Sequence, residues 1–325
     1  KAQAPPCGAA ELSAGVKALY AQGQTDYSLD PLVLVDEHNL PIGRIANGDV
    51  VIFCCRRGER EVELTEAFTD AHFPHFQRPD LSRLNFIILT LYHEKFVNLP
   101  VAFSPTKIEA TLAETISRAG LRQLHTSESE KFAHVTFFFN GGNNQPFPGE
   151  EDVRIPSPHG MPFDQVPELS LPQVADQVTK GIEQSFDFIV ANFANGDVIG
   201  HTANNDAKVR CAALVDHWLG QVVDAAHSAG YVTLITADHG NLEAMVTPDG
   251  SPHVAHTSNP VDFILVDPAA SAKADLRDGI LADVAPTILS ALGLEQPSIM
   301  SGATLAPGYA WKGMRRVLLI ILDGW

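Results

Sequence analysis

The sequence predicts an α/β protein: a three-layer sandwich around a mostly parallel sheet, with part of a second α/β domain ahead of it. Three observations carry that prediction. From Gly120 onward, short runs rich in β-branched and aromatic residues alternate with helix-period stripes, the pattern of βαβ units. Several of the runs are apolar at every position, as strands covered on both faces are. The chain is 325 residues long, 45% hydrophobic and 19% charged, with 24 Gly and 22 Pro. That length allows about two domains, and the composition is that of a folded protein rather than a disordered, collagen-like or coiled-coil one.

Taken in chain order, the first region reads as strands at Leu32–Val35, Val50–Phe53 and Phe86–Leu91 and a helix at Glu61–Phe68. Pro100 and Pro105 disfavour helix around them, so Leu99–Pro105 reads as a linker between domains at 1–100 and 101–325. Ile108, Leu112 and Ile116 then recur every four residues before Gly120, which reads as a helix and its stop. Strands are expected at Val135–Phe139, Phe186–Phe193, Tyr231–Thr236, Val261–Val266 and Val317–Leu322. Between them, the stripe Val209, Ala212, Val215, Leu219, Val222 and Ala226 makes a long helix closed by Gly230, and Asp283–Leu292 a further one before Gly293.

The formal net charge is −17 and the pI near 5.1, which repels nucleic-acid phosphates. Arg56, Arg57 and Arg60 form the only dense basic cluster. The four cysteines, Cys7, Cys54, Cys55 and Cys211, make neither a disulfide framework nor a Cys-x-x-Cys zinc pair, which fits a reducing cytosol. No apolar run approaches the ~20 residues of a membrane span, and Lys1–Gly15 has no signal-type apolar stretch. A cytoplasmic location with neither a membrane nor a nucleic-acid partner is expected. The chain lacks an initiating Met and stops at Trp325 just after an apolar run, which reads as a piece, or a reordered piece, of something longer.

Three apolar strands are closely followed by metal-capable residues. Phe193 leads to Asp197 and His201, Thr236 to Asp238 and His239, and Leu322 to Asp323. In a parallel sheet the carboxyl ends of strands open onto one edge, where ligands bind, so these residues should converge. His256 precedes its strand, but a Pro248-Asp249-Gly250 turn could fold it back. Three carboxylates and three imidazoles without thiolate suit two divalent ions, manganese or zinc, more than a structural zinc. Two such ions against three carboxylates leave a net positive site for a phosphate. Each residue alone also reads as a turn former or helix cap. Arg57 and Arg60 follow a strand and could fork onto a carboxylate or phosphate, or start a solvated helix. Lys131 reads as a surface lysine on spacing alone.

The runs Asn192–Thr202, Ile235–Asn241 and Ala255–Pro260 resemble the metal motifs of the cofactor-independent (2,3-bisphosphoglycerate-independent) phosphoglycerate mutases, within the alkaline phosphatase superfamily. Glu130–Gly142, followed by Pro146–Glu151, resembles a segment specific to the mutases. The resemblance implies an alkaline-phosphatase-like sandwich at 101–325 and a partial transferase-like domain at 1–100. It implies interconversion of 3-phosphoglycerate and 2-phosphoglycerate through a phosphoserine, with two Mn2+ ions and no 2,3-bisphosphoglycerate. Asp197, His201 and His256 would hold one ion, and Asp238, His239 and Asp323 the other. Arg57 and Arg60 would bind substrate, and Lys131 would be the catalytic lysine beside the metals. Val317–Trp325 resembles the amino-terminal strand of that family, so the order reads as circularly permuted. The serine motif that would follow Trp325 is absent from these residues, as is the first part of the transferase domain. A phosphohydrolase or phosphopentomutase of the same superfamily, or an inactive metal-binding fragment, are the alternatives.

Overall fold

The computed structural model describes residues 9–24, 29–54, 59–104, 108–270 and 273–325. The chain forms two compact units, Lys1–Thr106 and Lys107–Trp325. The first contains α1 (Ala9–Ala21), β1 (Val50–Phe53), α2 (Glu59–Thr69) and β2 (Asn85–Ile88), with β1 and β2 paired in parallel. Its small core gathers Phe86, Ile88 and Phe96 against Phe53, Phe68 and Tyr92. The expected strand Leu32–Val35 is a single bridge, Val35 to Pro41. The Asp36 carboxylate accepts from the N–H groups of His38 and Leu40 to make a turn, and Pro41 has no N–H with which to continue a ladder. The Pro-bearing segment expected as a linker runs beside β2, with Ala102 and Phe103 N–H donating to the Ile88 and Leu89 carbonyls.

The second unit is built from α3 (Leu112–Arg118), β3 (Gln123–Glu128), α4 (Phe132–Val135), β4 (Glu150–Ile155), α5 (Leu171–Glu183), β5 (Phe188–Phe193), α6 (Asn195–Gly200), α7 (Asn205–Ser228), β6 (Val232–Thr236), β7 (Phe263–Val266), α8 (Val284–Leu292) and β8 (Val317–Leu322). The sheet order is β4-β3-β5-β8-β6-β7, all parallel except β7. Strand side chains alternate between two cores. Leu318, Ile320 and Leu322 of β8 join Ile189, Ala191 and Phe193 of β5 under α5 and α7, while Val317, Leu319, Phe188 and Val190 face α3 and α8. This is a three-layer α/β/α sandwich, and both-face burial accounts for the uninterrupted apolar runs. No helix among the described residues is long and apolar enough to cross a membrane.

The expected strand Val135–Phe139 is instead the end of α4 followed by turns. Its apolar residues cap the sheet, with Val135 buried against Phe188 and Phe139 stacked near the same ring. A short apolar run does not by itself distinguish a strand from a buried helical turn. The strands on that side are the polar ones, β3 and β4. All of β3 is buried, and most of its polar groups are hydrogen-bonded: Gln123 Nε2 donates to Ala113 O at 2.9 Å, and Ser127 Oγ to Asn192 O at 3.0 Å. His125 sits with Glu150 and Asp152 in a buried acid–imidazole cluster. Its ring nitrogens lie 2.7 Å from Val135 O and 3.1 Å from Gln123 Oε1, and burial holds its pKa below the usual imidazole value despite the Glu150 charge.

Replacing Ile320, fully buried in the central strand, should cost the most. We expect Ile320→Ala to lower unfolding stability by about 2–5 kcal/mol, and Ile264→Ala, on the exposed face of edge strand β7, by less than about 1 kcal/mol, both read from urea unfolding.

Candidate metal centre

Parallel pairing brings the ends of β3, β5, β8 and β6 to one edge in register, with Ser127 opposite Asn192, Phe193 opposite Leu322, and Thr236 opposite Ile321. The residues that follow therefore emerge side by side. Asp323 comes directly off β8, Asp238 and His239 just after β6, and Lys131 three residues after β3. Asp197 and His201 lie in and just after α6, a short helix of six residues. Two glycines let the β5 and β8 ends meet backbone to backbone. A Cβ on Gly196 would lie 2.5 Å from Asp323 O, and one on Gly324, which has φ +71°, would lie 2.6 Å from Asp197 N.

At the floor of the edge, the Lys131 ammonium bridges two buried carboxylates, 2.6 Å from Asp197 Oδ2 and 2.7 Å from Asp323 Oδ1. Asn192 Nδ2 donates to the other oxygen of Asp323 at 2.6 Å. Burial alone would raise Asp197, but the hydrogen bond and charge of Lys131, helped by His201, hold it below the usual carboxylate range. Asp323 moves the other way: burial and the nearby Asp238 charge raise it despite Lys131. Burial disfavours the Lys131 ammonium, yet the two carboxylates keep its pKa above the ordinary lysine value.

The imidazoles close the outer side. Asp197 Oδ1 lies 3.2 Å from His201 Nε2 and 2.9 Å from His256 Nε2, and those two nitrogens are 3.1 Å apart. His239 Nε2 lies 3.3 Å from Asp238 Oδ2 and 3.8 Å from Asp323 Oδ1. It is also 3.9 Å from Asp197 Oδ1, and the His239 ring stacks on that of His256 with centroids 3.7 Å apart. Potential ligand atoms of Asp238, His239 and Asp323 cluster within 4.8 Å of one another, as do those of Asp197, His239 and His256. His239 thus stands between the two groups.

The donor set fits divalent cations. His201 Nδ1 faces the Val254 carbonyl at 2.8 Å and His239 Nδ1 the Gly240 carbonyl at 3.3 Å, so Nδ1 carries the proton in each ring. Their Nε2 lone pairs then point at carboxylate oxygens, an arrangement that a cation between them makes favourable. The hairpin expected from Pro248-Asp249-Gly250 is present as one bridge, Val246 to Pro252. A second, Gly240 to Thr257, returns His256 to the edge. Arg57 lies outside the described residues, as does the side chain of Arg60, whose backbone is in α2.

Sequence reasoning missed the residues that support these side chains. Asn192 and Asn241 are buried beside the carboxylates but carry no motif-level signal beyond adjacency. Glu128, at the end of β3, is 1% exposed and accepts from Ser170 N at 2.9 Å. Burial pushes its carboxyl up to about 7 against that bond.

Residues 29–296 match the family model described as Metalloenzyme superfamily. The chain is 45% identical over 296 residues to the 2,3-bisphosphoglycerate-independent phosphoglycerate mutase of Syntrophotalea carbinolica, covering 90% of this chain and 57% of that protein. It is 44% identical over 295 residues to the protein of the same name from Moorella thermoacetica, covering 90% and 56%. A solved structure of Leishmania mexicana phosphoglycerate mutase at low cobalt concentration superposes with a TM-score of 0.66 at 26% identity, over 91% of this chain and 58% of that one. The chain spans a little over half the length of the curated relatives it matches.

Removing Lys131 leaves two buried carboxylates facing each other. We expect Lys131→Met to destabilise the protein in chelator by about 3–5 kcal/mol, with the deficit shrinking when Mn2+ is added, as followed by thermal unfolding. A raised carboxyl favours the fold below its unfolded pKa and loses that advantage as pH rises through its folded one. For Glu128 the window runs from 4.5 to about 7. The wild type should therefore lose about 3 kcal/mol from this group between pH 4.5 and 8, and Glu128→Gln should not, as measured by urea unfolding across that range.

Proposed function

The chain belongs to the Metalloenzyme superfamily, and from that premise we propose that it carries the metal-binding machinery of a cofactor-independent phosphoglycerate mutase, interconverting 3-phosphoglycerate and 2-phosphoglycerate through a phosphoserine. The observation that carries the reading is the convergence of three carboxylates, three imidazoles and one lysine at a single sheet edge. Relatives bearing the mutase name at 42–45% identity support it.

In this reading Asp197, His201 and His256 hold one Mn2+ and Asp238, His239 and Asp323 the other, without 2,3-bisphosphoglycerate. Bound there, the ions would supply Lewis-acid stabilisation of phosphoryl oxygens. The chain's own residues do the rest. Lys131 spends two of its three N–H donors on Asp197 and Asp323, and no further acceptor meets it among the described residues. Its third N–H is directed to a substrate phosphoryl oxygen. Asn192 fixes the Asp323 carboxylate, and the Val254 and Gly240 carbonyls hold the His201 and His239 rings in the tautomer that offers Nε2. Arg57 and Arg60, on a partial transferase-like domain at 1–100, fork onto the substrate's anionic groups. The phosphatase-like domain at 101–325 carries the centre. The serine oxygen comes from a segment other than these residues, since an oxygen nucleophile is needed for a phosphoserine. The setting is cytoplasmic and the partner a small phosphoglycerate.

Calorimetric titration with Mn2+ should give two ions per chain for the wild type and one for Asp323→Asn. With the serine-bearing segment of a relative added in trans, phosphorus NMR should show 3-phosphoglycerate converting to 2-phosphoglycerate. Release of inorganic phosphate in place of isomerisation, or no bound Mn2+, would overturn the mutase reading.

A further inference from the structure

Five of the six converging side chains follow a strand end closely, but His256 does not. It closes a long excursion from β6 in which the hairpin around Pro248-Asp249-Gly250 has a single bridge, Val246 to Pro252, and the next is at Thr257. Between them one backbone bond, His253 N–H to Met245 O at 3.0 Å, ties the stretch, and side chains hold its carbonyls. Three consecutive carbonyls are held. Val254 O accepts from His201 Nδ1 at 2.8 Å. Ala255 O lies 3.3 Å from the amide nitrogen of Asn241, in the orientation that also faces that nitrogen to Gly200 O. His253 O accepts from the ammonium of Lys208, four residues into α7.

Lys208 is the unusual member of the three. It is 1% exposed, and no carboxylate pairs with it among the described residues. Burial alone lowers its pKa. A buried ammonium facing only a carbonyl contributes little or negatively to folding, and an apolar side chain of similar length in its place is often neutral or stabilising. What it does supply is a fixed point. α7 is a 24-residue helix packed on α5 and α6, and Lys208 extends that rigidity to the segment that carries His256.

We propose that Lys208 is a positioning residue for the metal centre: by fixing the His253 carbonyl it aims His256 Nε2 at Asp197 and keeps the Val254 carbonyl where it orients the His201 ring. The proposal rests on the metal-centre reading above. It acts on the Asp197, His201 and His256 side, since Asp238, His239 and Asp323 hang from strands β6 and β8 directly.

The test compares wild type with Lys208→Met, which keeps the length and removes the donor, and with Lys208→Gln, which keeps a shorter one. Hydrogen exchange on the metal-free proteins reads the anchoring: amides from His253 to Thr257 should exchange faster in the Met variant, with Gln intermediate, while α7 stays protected. Mn2+ calorimetry reads the consequence: one of two sites should weaken by about 10–100-fold, the other remaining as in the wild type, with the metal-free melting temperature unchanged or raised. Wild-type exchange at 253–257 in both variants would overturn the proposal. So would a fall in melting temperature with Mn2+ affinity unaltered, which is what a merely structural lysine gives. If the wild type itself binds no Mn2+, the metal-centre reading falls and the assignment of Lys208 to it falls as well, while the exchange data still report whether the anchor exists.

Discussion

The Lys131 ammonium, held between the carboxylates of Asp197 and Asp323, is the contact on which the rest of the centre depends. It ties the ends of three adjacent strands, β3, β5 and β8, at a point where water is excluded and an unpaired carboxylate would be costly. Its consequences reach outward in order. Asp323 can stay at the floor because Asn192 and Lys131 together satisfy it. Asp197 can turn one oxygen inward to the lysine and leave the other facing the imidazoles of His201 and His256.

That division of labour makes the site asymmetric. The carboxylate floor is rigid, set by strand register and by the close approach of Gly196 and Gly324. The imidazole side is more exposed and depends on backbone carbonyls for its orientation. Lone pairs converging from both sides describe a cation cradle, and membership of the Metalloenzyme superfamily agrees with that chemistry. Phosphoryl chemistry needs such an arrangement for a physical reason: the transferring group carries its charge on peripheral oxygens, which positioned cations and N–H donors can stabilise without reorganising.

Reading the sequence alone worked best where both faces of a strand are apolar. β5, β6 and β8 and the helices α7 and α8 follow from run length, periodicity and stop signals, with differences of only a few residues at their ends. It failed at β3 and β4, where buried Gln123, His125, Thr126 and Ser127 look like a surface segment until their partners are known. It failed also at Val135–Phe139, whose apolar character was read as a strand although it covers the sheet. With β3 misplaced, Lys131 had no spacing argument of its own, and its place beside the carboxylates came only from a family resemblance.

What the sequence by itself determined is the α/β layering and the fact that acids and imidazoles stand just beyond strand ends. Alternation and apolar runs are local properties, and a parallel sheet puts all such ends on one edge whatever their order. Which atoms meet was decided only by tertiary structure. The insertion of β8 between β5 and β6 brings Asp323 beside Asp197, the bridge from Gly240 to Thr257 returns His256, and Lys208 pins the segment that carries it. Those contacts join residues far apart in the chain, and no pattern within a window of sequence encodes a hydrogen bond to a carbonyl 45 residues away.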